Sequence, residues 1–157
     1  MERLVISLYR LCGFLHRGDY GDVLFVRVFI KVAYATYSFI AKAYFGAYLP
    51  YKAIISDDVI FPHSLFGVFI SEGSIIGDGC TIYHHVTIGS KYDHKTNSTV
   101  YPVIKNKVFI GANACIIGRA SIHDNVFIGA GCTVVDESVP EGSTVVSAKN
   151  RVIINEK

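Results

Sequence analysis

Aliphatic residues recur every six positions through most of the C-terminal two thirds of the chain. They stand at Ile70, Ile76, Ile82 and Ile88, and again at Ile104, Ile110, Ile116, Ile122, Ile128 and Val134. Two positions before each sits a small or β-branched residue: Val68, Ser74, Cys80 and Val86, then Val108, Ala114, Ala120, Val126 and Cys132, with Pro102 as the exception. Glycine often follows the aliphatic residue, as at Gly77, Gly89, Gly111 and Gly129. A strict six-residue period predicts a parallel β-helix: three short strands close one triangular coil, and equivalent residues stack in the next. The strands of an ordinary sandwich would not hold that spacing. One repeat cannot bury its own apolar side, so the coils must stack into ladders of Ile and Val. Tight corners need Gly, Asn or Asp, as in Gly77-Asp78-Gly79 and at Asn113. Cys80 and Cys132 take the small inward position, which predicts inert core thiols.

The pattern breaks between Ile88 and Ile104, a step of sixteen residues that is no multiple of six. Residues 89–102 (GSKYDHKTNSTVYP) are polar and are predicted to leave the prism as an extended loop. Excursions from a rigid solenoid commonly build binding sites, and this one carries Lys91, Tyr92, Asp93, His94 and Lys95.

Residues 1–50 follow a different rhythm. Segments 2–16 and 22–46 lack proline and mix apolar residues with Arg and Lys. They predict two helices, broken near Gly18-Asp19-Tyr20-Gly21, with Asp19 or Asp22 offering a cap to the second. A membrane-spanning helix needs roughly 20 consecutive apolar residues; Arg27, Lys31 and Lys42 interrupt this stretch. The first expectation is that its apolar side packs on the β-helix or on a neighbouring subunit. The second is a basic amphipathic helix lying on an anionic membrane.

Composition fits one domain, residues 51–157, with the helical appendage of residues 1–50. Of the 157 residues, 51% are hydrophobic and 18% charged, enough apolar surface for a real core. A net charge of +2 is too small to argue for nucleic acid. Residues 1–52 hold seven Lys/Arg against three Asp/Glu, and residues 53–157 eight against ten, so the appendage is basic and the repeat region mildly acidic. The cysteines (Cys12, Cys80, Cys115 and Cys132) form no CxxC pair, and Arg10 interrupts the apolar start. Both points predict a cytoplasmic protein with reduced thiols.

These motifs resemble the hexapeptide-repeat acyltransferases, in their serine acetyltransferase-like branch, over roughly residues 47–154. Phe61-Pro62-His63-Ser64-Leu65-Phe66-Gly67-Val68-Phe69-Ile70 resembles the family's histidine segment. Ile82-Tyr83-His84-His85-Val86-Thr87-Ile88-Gly89 looks like its "VTIG" coil, leading into the loop as it does there. Val108-Phe109-Ile110-Gly111-Ala112 and Val126-Phe127-Ile128-Gly129-Ala130-Gly131 resemble its cofactor-side coils, and Val139-Pro140 with Arg151 its closing turn and basic terminus. The resemblance implies a mainly β fold, a left-handed parallel β-helix, in homotrimers with active sites between subunits. It also implies acetyl transfer from acetyl-CoA to a hydroxyl; the basic helical lead-in resembles members that modify polysaccharides or their precursors, so a sugar or polysaccharide precursor is the first expected acceptor and serine, as in cysteine biosynthesis, the alternative. Two positions depart from the serine-specific members. Tyr48 stands where they place the acid that orients the histidine, and Val100-Tyr101-Pro102 where they carry a second histidine.

The chemistry needs a base, because a hydroxyl attacks a thioester only as it loses its proton. His63 is the candidate base, with Asp57 or Asp58 as the carboxylate to orient it, by proximity in sequence. His84 and His85 are candidate acceptor-site residues; alternation along a strand puts His84 partly inward or at a corner and His85 outward. His94 and Tyr101 are further acceptor-binding candidates, whereas His16 and His123 read as structural. By resemblance, Gly89, Gly111, Ala112 and Ala130 line the cofactor's pantetheine arm, and Lys149 and Arg151 meet its phosphates. A zinc-dependent β-helix enzyme would need converging histidines, and the H-x4-H spacing of the resembling carbonic anhydrases is missing, so no metal is expected. A non-catalytic scaffold is the remaining alternative; the segment before the repeats is too short for a nucleotide-binding domain.

Overall fold

A computed structural model describes residues 2–18 and 23–148. Helix α1 (Glu2–Arg17) is followed by α2 (Leu24–Ile40), whose end widens into a π turn over Ala41–Phe45. Gly46, left-handed at φ 59°, closes that turn, a conformation that costs glycine little. The cap position of α2 falls to Val23, which makes no side-chain bond; Asp19 and Asp22 lie outside the described residues.

The rest is a parallel β-helix with three faces. The first stacks β2 (Phe69–Ile70), β5 (Thr87–Gly89), β10 (Cys115–Ile117) and β13 (Thr133–Val135). The second stacks β1 (Ile54–Ile55), β3 (Ile75–Ile76), β8 (Val103–Ile104), β11 (Ser121–Ile122) and β14 (Ser138–Val139). The third stacks β4 (Thr81–Ile82), β9 (Phe109–Ile110), β12 (Phe127–Ile128) and β15 (Thr144–Val145). All nine Ile of the six-residue ladder, and Val134, are at most 1% exposed. Burying such a side chain fully is worth about 1.5–3 kcal/mol, so the ladder dominates the fold's stability. The small partners Val68, Ser74, Cys80, Val86, Val108, Ala114, Ala120, Val126 and Cys132 are buried beside it.

Register shows where the prism is interrupted. Val103 pairs with Ser121, 18 residues on, the regular step. Ile75 pairs with Val103, 28 residues on, so ten extra residues leave the coil there. They form an antiparallel hairpin of β6 (Lys91–Asp93) and β7 (Ser98–Val100), while Gly89 stays paired inside the prism opposite Ile117. Ile60 pairs with Thr81, 21 residues on, so three extra residues swell the corner between Ile60 and Phe69. That corner carries His63.

The helices lie against the first coil. The Tyr9 hydroxyl donates to the Ala53 carbonyl at 2.6 Å, and the Tyr37 hydroxyl to the Leu49 carbonyl at 3.1 Å. Val5, Cys12, Ile30, Ala33 and Ala41 are buried on the same side. The packing expected of the apolar stretch holds for this face alone. Phe25 is 81% exposed, Phe39 72% and Val32 62%, with Leu24 and Val28 beside them. Leu24–Phe45 is long and apolar enough to cross a bilayer, at a mean hydropathy of 1.5.

Candidate active site

The swollen corner places His63 on the edge between the third and first faces. One coil further on, the corresponding corner is His84-His85, then Ala112-Asn113, then Ala130-Gly131. Backbone bonds hold these corners in file: His85 N–H to Phe66 O at 2.8 Å, Asn113 N–H to His84 O at 3.1 Å, and Gly131 N–H to Ala112 O at 2.8 Å. This histidine edge therefore runs from three imidazoles into a ridge of small residues.

His63 is exposed, and its Nδ1 lies 2.8 Å from His84 Nδ1. The two rings are 4.9 Å apart and tilted by 31°. The Tyr83 ring meets His63 edge-on at 4.9 Å. His84 is half-buried at the corner and His85 is exposed, the expected placement, but they sit in a turn with His85 left-handed at φ 57°, so the corner and not strand alternation sets it. His85 lies over Gly67, where a Cβ would fall 2.1 Å from His85 Nδ1, so the corner needs glycine there. Beside His63, the Ser64 hydroxyl is buried without a hydrogen-bond partner, which sequence alone does not reveal.

Neither carboxylate expected to orient His63 does so. Asp57 pairs with Arg10 at 3.0 Å. Asp58 accepts from the Gly79 N–H and, less strongly, from the Ser56 hydroxyl, which hold its carboxyl below the usual range. The reason is topological: both occupy the corner between the second and third faces, a different edge of the prism. Tyr48 does not substitute for a carboxylate either. It stacks on Phe69 at 5.0 Å, and burial and a hydrogen bond with Tyr34 push its phenol up to about 12, so it is neutral near pH 7.

The hairpin occupies the remaining edge, between the first and second faces. A cavity of about 570 Å³ there is lined by Lys91, Tyr92, Asp93, His94, Lys95 and Arg119, among others. Lys91 pairs with Asp136, and Arg119 with Asp93 at 3.0 Å. Asp93 and Asp136 are held below the usual carboxylate range, Asp93 chiefly by the Lys95 N–H and Asp136 chiefly by Lys91. His94 packs edge-on against Tyr92 at 5.0 Å. Tyr101 covers Gly73, where a Cβ would strike its ring at 2.5 Å. His94 and Tyr101 therefore share an edge with each other and not with His63.

Of the residues carried over for the cofactor, Ala112 and Ala130 lie on the histidine edge, half-buried and exposed respectively. Gly111 and Gly89 are buried; a Cβ on Gly111 would lie 2.6 Å from the Ala130 backbone nitrogen, so stacking alone demands glycine there, whereas a Cβ on Gly89 would meet only the movable Cδ1 end of Ile117 at 2.6 Å. Lys149 and Arg151 lie outside the described residues. Among the described residues no group of three or more His, Cys, Asp or Glu is placed to hold a metal. His16 meets Tyr51 edge-on at 5.0 Å, and His123 reaches the Ser138 hydroxyl at 3.4 Å.

Comparison with known proteins adds to this geometry. Residues 101–136 match the family described as bacterial transferase hexapeptide (six repeats). A serine acetyltransferase of Helicobacter pylori is 34% identical over 95% of this chain and 79% of its own. A candidate colanic acid biosynthesis acetyltransferase of Escherichia coli, WcaB, is 36% identical over 74% of this chain and 68% of its own. The Neisseria gonorrhoeae serine acetyltransferase solved with serine superimposes with a TM-score of 0.72 at 28% identity, over 92% of this chain and 53% of that one. A serine acetyltransferase solved with CoA gives 0.62 at 26% identity, over 89% of this chain and 52% of that one. The chain thus spans about half the length of these solved relatives. By repeat, prism and likeness along nearly its whole length, the chain belongs to the bacterial hexapeptide-repeat transferases, in the serine acetyltransferase-like branch with its left-handed β-helix, whose acyl donor is acetyl-CoA.

Proposed function

We propose that this chain transfers the acetyl group of acetyl-CoA to a hydroxyl of a small acceptor, with His63 as general base. The observation that carries this reading is the exposed imidazole of His63, engaged through Nδ1 and with no hydrogen-bond partner at Nε2 among the described residues, at the head of a ridge of small residues. Nε2 takes the acceptor's proton as its oxygen attacks the thioester carbon. The C–O bond forms, the C–S bond breaks, and the proton passes on to the departing sulfur. General base catalysis of this kind supplies about 10²–10⁴-fold. Ala112 and Ala130 offer the pantetheine arm close approach along the same edge.

L-serine, the alternative in the sequence reading, is the acceptor favoured by the relatives' names over the sugar expected first. A sugar hydroxyl is the second reading, favoured by Tyr48 and Tyr101 in place of the acid and histidine of the serine-specific members, and by the likeness to WcaB. Thiol release from acetyl-CoA, measured with L-serine and then with a panel of sugars and nucleotide sugars, tests both. We expect serine-dependent release. Release with sugars alone would select the second reading, and release with no hydroxyl acceptor would overturn both.

A homotrimer supports this chemistry. His63 and the hairpin residues His94 and Tyr101 occupy different edges, so only a second copy brings a hairpin to the histidine edge. We place the protein in the cytoplasm, peripheral at the inner membrane. Supporting that location, Phe25, Val28, Val32 and Phe39 form one exposed apolar stripe on α2, flanked by Lys31 and Lys42, and α2 has no acidic residue.

A further inference from the structure

We propose that His84 is the positioning residue for His63, doing with a neutral imidazole what an acidic side chain would otherwise do. The inference rests on the reading of His63 as base and adds what holds it. Geometry carries it. The 2.8 Å separation of the two Nδ1 atoms admits one proton between them, so one ring donates and the other accepts. His63 is a base at Nε2 only if its own proton sits on Nδ1. His84 must then accept at Nδ1 and carry its proton on Nε2. The contact thus couples the two tautomers: with His63 as the donor, its lone pair is left on Nε2.

The surroundings leave this role to His84. Asp57 and Asp58 are engaged on another edge, and Tyr48 is a neutral phenol stacked on Phe69. Tyr83 presents its ring, not an acceptor, to His63. His84 is itself held at a half-buried corner, its carbonyl bonded to the Asn113 N–H, so the acceptor is fixed by the prism. When His63 takes the acceptor's proton at Nε2, the resulting imidazolium keeps its Nδ1–H on the His84 lone pair. The bond then has an ionic donor and strengthens as charge develops, which favours the transition state over the ground state.

The test is a series at His84 in the full-length protein, read as kcat and KM separately. His84→Ala and His84→Phe lose the acceptor and should lower kcat about tenfold, with KM for acetyl-CoA within about twofold. His84→Asn restores a neutral acceptor and should recover most of the loss, which a purely structural role would not predict. In the unmodified protein, 15N NMR should find neutral His63 protonated at Nδ1 and neutral His84 at Nε2. The opposite tautomer on His63 overturns the proposal even if no variant folds. His84→Ala at full kcat, beside an inactive His63→Ala, overturns the positioning role alone. An active His63→Ala removes the base on which it rests.

Discussion

At the scale of single residues, the molecule separates side chains that build the prism from those that act on its edge. Ile116 has no exposed surface and pairs on both sides, with Ile88 and Val134. Truncating it leaves a void between coils that cannot collapse without moving the ladder. Ile116→Ala should cost about 2–5 kcal/mol, measurable by urea denaturation with an unchanged m-value. A loss under about 1 kcal/mol would mean the ladder is not close-packed. The inward residues were legible from sequence because their period follows directly from coil geometry. The orientation of His63 was not. Nearness in sequence suggested Asp57 and Asp58, but in a three-edged prism a few residues are enough to change edges. The residue that reaches His63 lies one coil away, at His84.

Elements were legible where a period governs them and obscure where it lapses. Sequence marked residues 89–102 as an excursion but could not show that ten residues fold into a hairpin while Gly89 stays in the prism. The three extra residues around His63 fell before the first clear ladder position, so no broken rhythm announced them. In the helices, hydrophobicity predicted apolar faces but not how many partners they have. One face of α2 packs on the first coil, and the other shows Phe25 and Phe39 to solvent. If that face rests on lipid, the protein should co-sediment with vesicles containing phosphatidylglycerol, and less with pure phosphatidylcholine or at high salt. A Phe25→Ser, Phe39→Ser variant should lose this binding while keeping its oligomeric state. Dissociation of the oligomer in that variant would assign the face to a neighbouring subunit instead.

At the scale of the whole molecule, the prism works as a ruler with three edges. One edge aligns imidazoles with small residues, one carries the hairpin and its ion pairs, and one gathers carboxylates engaged with their own neighbours. The central claim is that the histidine edge performs acetyl transfer through His63. The most direct measurement is acceptor-dependent release of free thiol from acetyl-CoA by the wild type and by His63→Ala, with binding of CoA to both confirmed by calorimetry. The account predicts equal binding and a fall in kcat of about 10²–10⁴-fold in the variant. Undiminished turnover by His63→Ala would contradict it.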